Sequence, residues 1–375
     1  MTWKIPLFKI YFDETDINNV TEAIKSGQDW AIGANIKKFE QNLSEYIGSK
    51  YCITFNSGTS ALHALLMAYE IGKDDEVIVP SFTFIATANS PLFVGARPVF
   101  ADIEEETYGL DPQDVMEKIT SKTRAIMPIH YGGCPCKIRE LREIAQDHNL
   151  LLIEDVAESL GATIGNKKVG TYGDAGMLSF CQNKIISTGE GGAIVTDSKE
   201  TFEKLKLIRS HGRLETSDYF SSTDIFDYIT LGFNFRMSNI TAALGVAQLQ
   251  KVDKIIKMRT DLAKEYIEKL SKLSGNIKLN NIPSDYYQVY QLFSLRAHKR
   301  DRLIQYLANK GIMTKIYFSP IHTTHFYKNV LKYITNLPVT QKVSSEIISL
   351  PFYPTMSRSD LDFVVNSIDQ FYSEV

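Results

Sequence analysis

Short apolar runs and helical stretches take turns along the first half of the chain. Tyr51–Phe55, Glu76–Pro80, Arg97–Ala101, Arg124–Ile129, Leu150–Glu154, Gly176–Phe180 and Gly192–Thr196 read as strands. Between them Ala61, Leu62, Leu65, Leu66 and Tyr69, and later Leu141, Ile144 and Ala145, recur at the spacing of a helix with one buried face. Several strands are apolar at every position rather than at alternate ones, the pattern of a sheet covered on both sides. Strand and helix in alternation predict an α/β layer of about seven mostly parallel strands.

After Thr196 the pattern changes. Phe202–Ile208 is helical, Ser210–Asp227 is polar and aromatic-rich without a period, and Ser238–Leu270 reads as one or two helices. A long charged helix from about Lys254, apolar pieces at Phe293–Arg296 and Lys315–Phe318, and a last helix over Arg358–Tyr372 predict a smaller α+β unit. The expected division is a large domain over 13–250 and a small C-terminal domain over 251–375, with residues 1–12 packing on the latter. No internal repeat or low-complexity tract interrupts this order.

Composition narrows the classes. A chain of 375 residues with 44% hydrophobic content supplies a sizeable core and is not a disordered one. Its 41 Lys+Arg against 44 Asp+Glu are too even for a polyanion-binding surface, and no basic stripe points to nucleic acid. A single phosphate would need only a local cradle. No apolar run approaches the roughly 18–20 residues of a membrane span, and Met1–Tyr11 lacks a signal-peptide layout. The expectation is a cytoplasmic protein. Cys134-Pro135-Cys136 lacks the second pair of a zinc knuckle, so Cys52, Cys134, Cys136 and Cys181 are expected to be ordinary thiols and no metal site is expected.

Three places carry candidate chemistry. Asn56-Ser57-Gly58-Thr59-Ser60 links a strand to a helix, so it either seats a phosphate on free N–H groups or simply caps the helix. It is neither a Walker A loop nor a dinucleotide fingerprint. Asp155 stands at the carboxyl end of a buried strand, where α/β sheets gather ligands. It could hold a cationic ring nitrogen or cap the next helix, and Glu158 follows three residues later. Lys184, between the strand Gly176–Phe180 and the turn Gly189-Glu190-Gly191-Gly192, is a candidate Schiff-base amine. Phosphate seat, carboxylate and enclosed lysine on one sheet are the parts that pyridoxal phosphate requires.

With these parts in place, the chain resembles the DegT/DnrJ/EryC1/StrS family of sugar aminotransferases, in the aspartate-aminotransferase (fold type I) superfamily. The likeness runs from Trp30-Ala31-Ile32-Gly33 through Ser57-Gly58-Thr59-Ser60, Ser81-Phe82-Thr83-Phe84-Ile85-Ala86-Thr87 and Pro128-Ile129-His130-Tyr131-Gly132. It continues through Glu154-Asp155-Val156-Ala157, Gly232-Phe233-Asn234-Phe235-Arg236, Tyr317-Phe318-Ser319-Pro320-Ile321-His322 and Leu350-Pro351-Phe352-Tyr353-Pro354.

That resemblance implies a role for each matching position. Lys184 would bond covalently to the cofactor and shuttle the proton, Asp155 would pair with the pyridine nitrogen, and Phe84 would stack on the ring. Gly58, Thr59 and Ser179 would bind the phosphate, with Asn183 beside the lysine. Asn234 would reach the phosphate of a neighbouring subunit, making the site a property of a homodimer, and Arg236 would help to anchor an anionic substrate. Glu158 stands where many members have His or Gln, near the expected place of the cofactor's phenolic oxygen. It resembles the perosamine-synthase-like branch, which aminates C4 of nucleotide-linked 4-keto-6-deoxy sugars with L-glutamate as donor. Cys181-Gln182 departs from the Asn-Gly usual there, which leaves the sugar open, amination at C3 included. Related dehydratases carry histidine in place of the lysine, so Lys184 argues against a lyase. The intact Lys184, Asp155 and Gly58-Thr59 argue against a non-catalytic cofactor-binding protein.

Overall fold

The computed structural model describes residues 3–214, 219, 222–273 and 275–374, so part of the polar stretch after Leu214 lies outside the described residues. In chain order the strands are β1 (Tyr51–Phe55), β2 (Glu76–Pro80), β3 (Arg97–Ala101), β4 (Thr123–Ile126), β5 (Leu151–Asp155), β6 (Thr163–Ile164) and β7 (Lys167–Lys168). They continue with β8 (Ala175–Ser179), β9 (Gly192–Thr196), β10 (Ile277–Lys278), β11 (Tyr286–Tyr287), β12 (Phe293–Ala297) and β13 (Ile347–Leu350).

A seven-stranded sheet in the order β1-β9-β8-β5-β4-β2-β3 forms the centre. Pairing is parallel from β8 across β5, β4 and β2 to β3, while β9 runs antiparallel to both β8 and β1. The sheet is covered on both faces, as its continuous apolar runs predict. Along β9, Ile194 packs with Leu62, Leu65 and Ile153 on one side. Its neighbours Ala193 and Val195 pack with Phe39, Phe180 and Val246 on the other.

A second sheet, β10-β12-β13, carries a separate core in which Tyr266, Phe293, Leu295, Leu303, Ile348 and Val364 meet. Ile5 from the N-terminal segment sits in that core, held by paired backbone bonds to Gly311 and Met313. Helix Val252–Leu270 serves both bodies. Val252, Ile255 and Ile256 near its start belong to the core of the central sheet, whereas Leu262, Ala263, Tyr266 and Leu270 belong to the second. None of the described helices is long and apolar enough to cross a membrane.

Three details differ from the expected boundaries. Asp155 closes β5 instead of following it. Lys315–Phe318 makes only a bridge from Lys315 to Ser349, because the chain leaves β13 at once and Ile321 N–H donates to Ser81 O at 2.9 Å. The two-residue strands β6, β7 and β11 form a small extra sheet, order β11-β6-β7, that carries no sequence period.

Candidate active site

The carboxyl ends of β2, β5 and β8 open beside the N-terminus of helix Gly58–Ala68, where a parallel sheet leaves a crevice for ligands. Ser57 does cap that helix, its hydroxyl accepting from Ser60 N–H at 3.1 Å. The cap still leaves a seat, because first-turn N–H groups have no intrahelical acceptor and Gly58 and Thr59 line the cavity. Glycine is demanded by close approach. A Cβ on Gly58 would stand 2.9 Å from Met177 Sδ, and one on Gly192 would stand 2.5 Å from Gly58 N. Ser179, at the end of β8, faces the same space.

Asp155 is buried, and its carboxylate is held on both oxygens. Thr87 Oγ1 donates to Oδ2 at 2.9 Å and Ala157 N–H to Oδ1 at 3.0 Å, while the Thr83 and Thr87 hydroxyls are 2.9 Å apart. Burial pushes this carboxyl above the usual range; the bonds from Ala157 and Thr87 and the charge of Lys184 pull it back only in part.

Its neighbour Glu154 points to the other face and anchors the strand end. Gly170 N–H donates to it at 2.7 Å, Gly173 N–H at 2.7 Å and Tyr172 N–H at 2.6 Å. Cys136 N–H donates to His130 Nδ1 at 3.1 Å, so the ring proton lies on Nε2, which donates to Glu154 Oε2 at 3.0 Å. His130 N–H also donates to Asp155 O at 3.2 Å, tying the pair back to the strand that presents Asp155.

Lys184 follows β8 on a turn closed by its N–H to Cys181 O at 2.9 Å. Its Nζ stands 3.5 Å from Glu158 Oε1, with the two side chains only 14% and 10% exposed. Glu158 Oε2 accepts from Gly132 N–H at 2.9 Å, so this carboxylate is fixed before it meets the lysine. Asn183 O accepts from Gln291 Nε2, a contact from the segment that leads into β12.

Gly58, Thr59, Phe84 and Ser179 line one cavity of about 450 Å³ together with Asp155, Glu158, Asn183 and Lys184. Phe84 is 60% exposed, so its ring is available to a ligand's face. Asn234 is not in this group. It is exposed, its carbonyl accepting from Asn56 Nδ2 at 3.3 Å behind the Ser57 turn. Arg236 does not line the cavity either; its Nη1 donates to Ser210 Oγ at 3.3 Å. Sequence reading gave no role to Thr83, Thr87, Phe8, Lys315, Tyr317 or Phe318, which also line the site. A hydroxyl pair four residues apart just after β2 is the one local signal that could have flagged the threonines.

The arrangement fits pyridoxal phosphate. N–H donors and the Ser179 hydroxyl suit a phosphate at a helix N-terminus. A buried carboxylate whose ionisation burial disfavours suits a cationic ring nitrogen, whose charge would offset that cost. A poorly exposed amine held by one carboxylate suits a carbonyl partner.

Comparison with known proteins agrees. The DegT/DnrJ/EryC1/StrS aminotransferase family matches over residues 11–369. The GDP-perosamine synthase of Escherichia coli O157:H7 is 34% identical over 373 residues, 99% of each chain. Among solved structures, Helicobacter pylori PseC, an aminotransferase involved in the biosynthesis of pseudoaminic acid, superposes with a TM-score of 0.92 at 28% identity. It covers 99% of this chain and 100% of its own. Streptococcus pneumoniae Spr1654 in its PMP form gives 0.93 at 25% identity, covering 99% of this chain and 100% of that one.

Proposed function

The chain belongs to the DegT/DnrJ/EryC1/StrS aminotransferase family, and we propose that it moves the amino group of L-glutamate to C4 of a nucleotide-linked 4-keto-6-deoxy sugar. That it is a pyridoxal-phosphate-dependent sugar aminotransferase follows from the family and from the relatives just described. Similarity to a GDP-perosamine synthase over nearly the whole chain supports C4 as the position. The observation that carries the reading is the convergence of Lys184, Asp155 and the Gly58-Thr59 turn on one cavity.

Pyridoxal phosphate supplies an electron-accepting ring that makes the C–H beside a substrate's amine acidic. Asp155, oriented by Thr87 and Ala157, would hold the positive charge of the ring nitrogen. Gly58, Thr59 and Ser179 would bind the phosphate, with Asn183 lining the same cavity, and Phe84 would supply a ring to stack on the cofactor. Lys184 Nζ would take the proton from the α-carbon of the donor in one half-reaction and deliver a proton to the former keto carbon of the sugar in the other. Glu158 steers that ammonium, its own position fixed by Gly132 N–H. Tyr317 and Phe318 add aromatic surface to the cavity lining.

Asn234 completes the phosphate site of a second copy in this reading. Its segment supports that role by exposing Tyr228, Ile229 and Leu231, more apolar surface than a solvated loop needs. The test is a panel of nucleotide-linked 3-keto and 4-keto sugars incubated with glutamate. Release of 2-oxoglutarate with 4-keto sugars is expected, and release with 3-keto sugars alone, or with none, would overturn C4 amination.

A further inference from the structure

Both substrates of the proposed reaction are anions, yet the cavity is lined by the carboxylates Asp155, Glu158 and Glu190. A bound cofactor adds its phosphate to that negative charge. Basic side chains are few: among the lining residues they are Lys184, His130 and Lys315. Lys184 is committed to Glu158 at 3.5 Å. Both ring nitrogens of His130 are used, by Cys136 N–H and by Glu154. Lys315 has no carboxylate within ion-pair distance among the described residues.

Its backbone is fixed although its ammonium meets no carboxylate among the described residues. Lys315 N–H donates to Ser349 O at 3.2 Å and Ser349 N–H to Lys315 O at 2.8 Å, so the residue is clamped to the edge of β13. Its ammonium stands over the ring of Tyr317, another lining residue, 4.9 Å from the ring centre. The residue is exposed, so an arriving anion can reach its ammonium directly.

We propose that Lys315 is the substrate-anion anchor of this site. Its ammonium takes the anionic oxygens that each substrate carries away from the reacting carbon, a carboxylate of the amino donor or the diphosphate of the sugar nucleotide. This deepens the functional reading above and rests on it for the identity of the anions. One cation in the cavity lining lets the two half-reactions share one cavity, because donor and acceptor differ in shape but not in this charge. Lys315 sets affinity and leaves the proton transfer at Lys184 alone.

Holoenzyme carrying Lys315→Gln, with Lys315→Arg as the charge-keeping control, tests this. Each is titrated with glutamate and with the reacting keto sugar by cofactor absorbance, and with succinate, UDP and GDP by calorimetry. In Lys315→Gln the apparent Kd is expected to rise about tenfold, with the limiting rate within about twofold and the resting absorbance unchanged. Lys315→Arg should retain most of the affinity. Weakening confined to glutamate and succinate assigns the carboxylate, and weakening confined to the nucleotides assigns the diphosphate; either supports the anchor. Unchanged affinity for all of them overturns it, even if transamination proceeds and the functional reading stands. Conversely, a wild type that binds succinate or a nucleotide through Lys315 but aminates no keto sugar keeps the anchor and removes the reading. A wild type that binds none of the probes overturns both.

Discussion

Burial disfavours the charged form of Asp155. In the cofactor-free protein its folded pKa lies above the ordinary value of about 3.9. Stability from this residue is therefore complete below that value and is lost as pH rises through the raised one. Asp155→Asn removes the titration, so cofactor-free Asp155→Asn should gain in melting temperature over wild type as pH goes from about 4 to 7. Parallel melting curves across that range would show that burial of this carboxylate is not costly. With cofactor bound the comparison should reverse, because a cationic ring nitrogen then favours the ionised form. The same variant should lower kcat far more than cofactor occupancy, the phosphate seat being untouched. Asp155, Glu158 and Lys184 were legible in the sequence because each sits at a fixed offset from a strand the apolar pattern reveals. Thr87 was not: its bond to Asp155 spans 68 positions and exists only once β2 and β5 lie in one sheet.

The helix that starts at Gly58 shows what one element contributes. Its N-terminus can serve as a phosphate seat only because β8 and β9 approach it closely, and that approach requires the missing side chains at Gly58 and Gly192. Gly58→Ala places a methyl 2.9 Å from Met177 Sδ. The expected cost is about 1–3 kcal/mol of stability, typical of overpacking, with a larger loss of phosphate affinity because the turn must shift. Thermal melting read beside cofactor retention on dialysis checks it; full retention with a lowered melting temperature would separate the turn from the phosphate. The strands of the central sheet could be read from the sequence because each is a continuous apolar run ended by turn residues. β6 and β11 could not, since Thr163–Ile164 meets Tyr286–Tyr287 through pairing between distant segments, without any period of its own. Lys315–Phe318 is a related case: a short apolar piece before Ser319-Pro320 makes one bridge to β13 and otherwise lines the cavity.

At the scale of the molecule, one chain brings the cofactor-binding candidates together except Asn234, which stands exposed behind the turn whose front faces the cavity. No pattern within one chain marks such a residue, because the surface it would complete belongs to another copy. If Asn234 serves a second subunit, cofactor retention should fall on dilution through the dissociation range, since a ligand bound across an interface stabilises only the associated state. Mixed assemblies give the sharper measurement. Lys184→Ala alone should reduce turnover by on the order of 10²–10⁴-fold, and Asn234→Ala should weaken the phosphate site. In a dimer of one Lys184→Ala subunit and one Asn234→Ala subunit, one site then carries both defects and the other carries neither. Activity should recover toward half of the wild-type value per dimer, although each parent is nearly inactive. The comparison is made at a cofactor concentration where Asn234→Ala alone is nearly inactive, so that recovery depends on which subunit supplies Asn234. Were Asn234 to serve its own chain's site, each site in the mixed dimer would keep one defect and no recovery would occur. Absence of recovery, with mixed dimers verified by native mass spectrometry, would therefore remove Asn234 from the shared site and leave the cavity the property of a single chain.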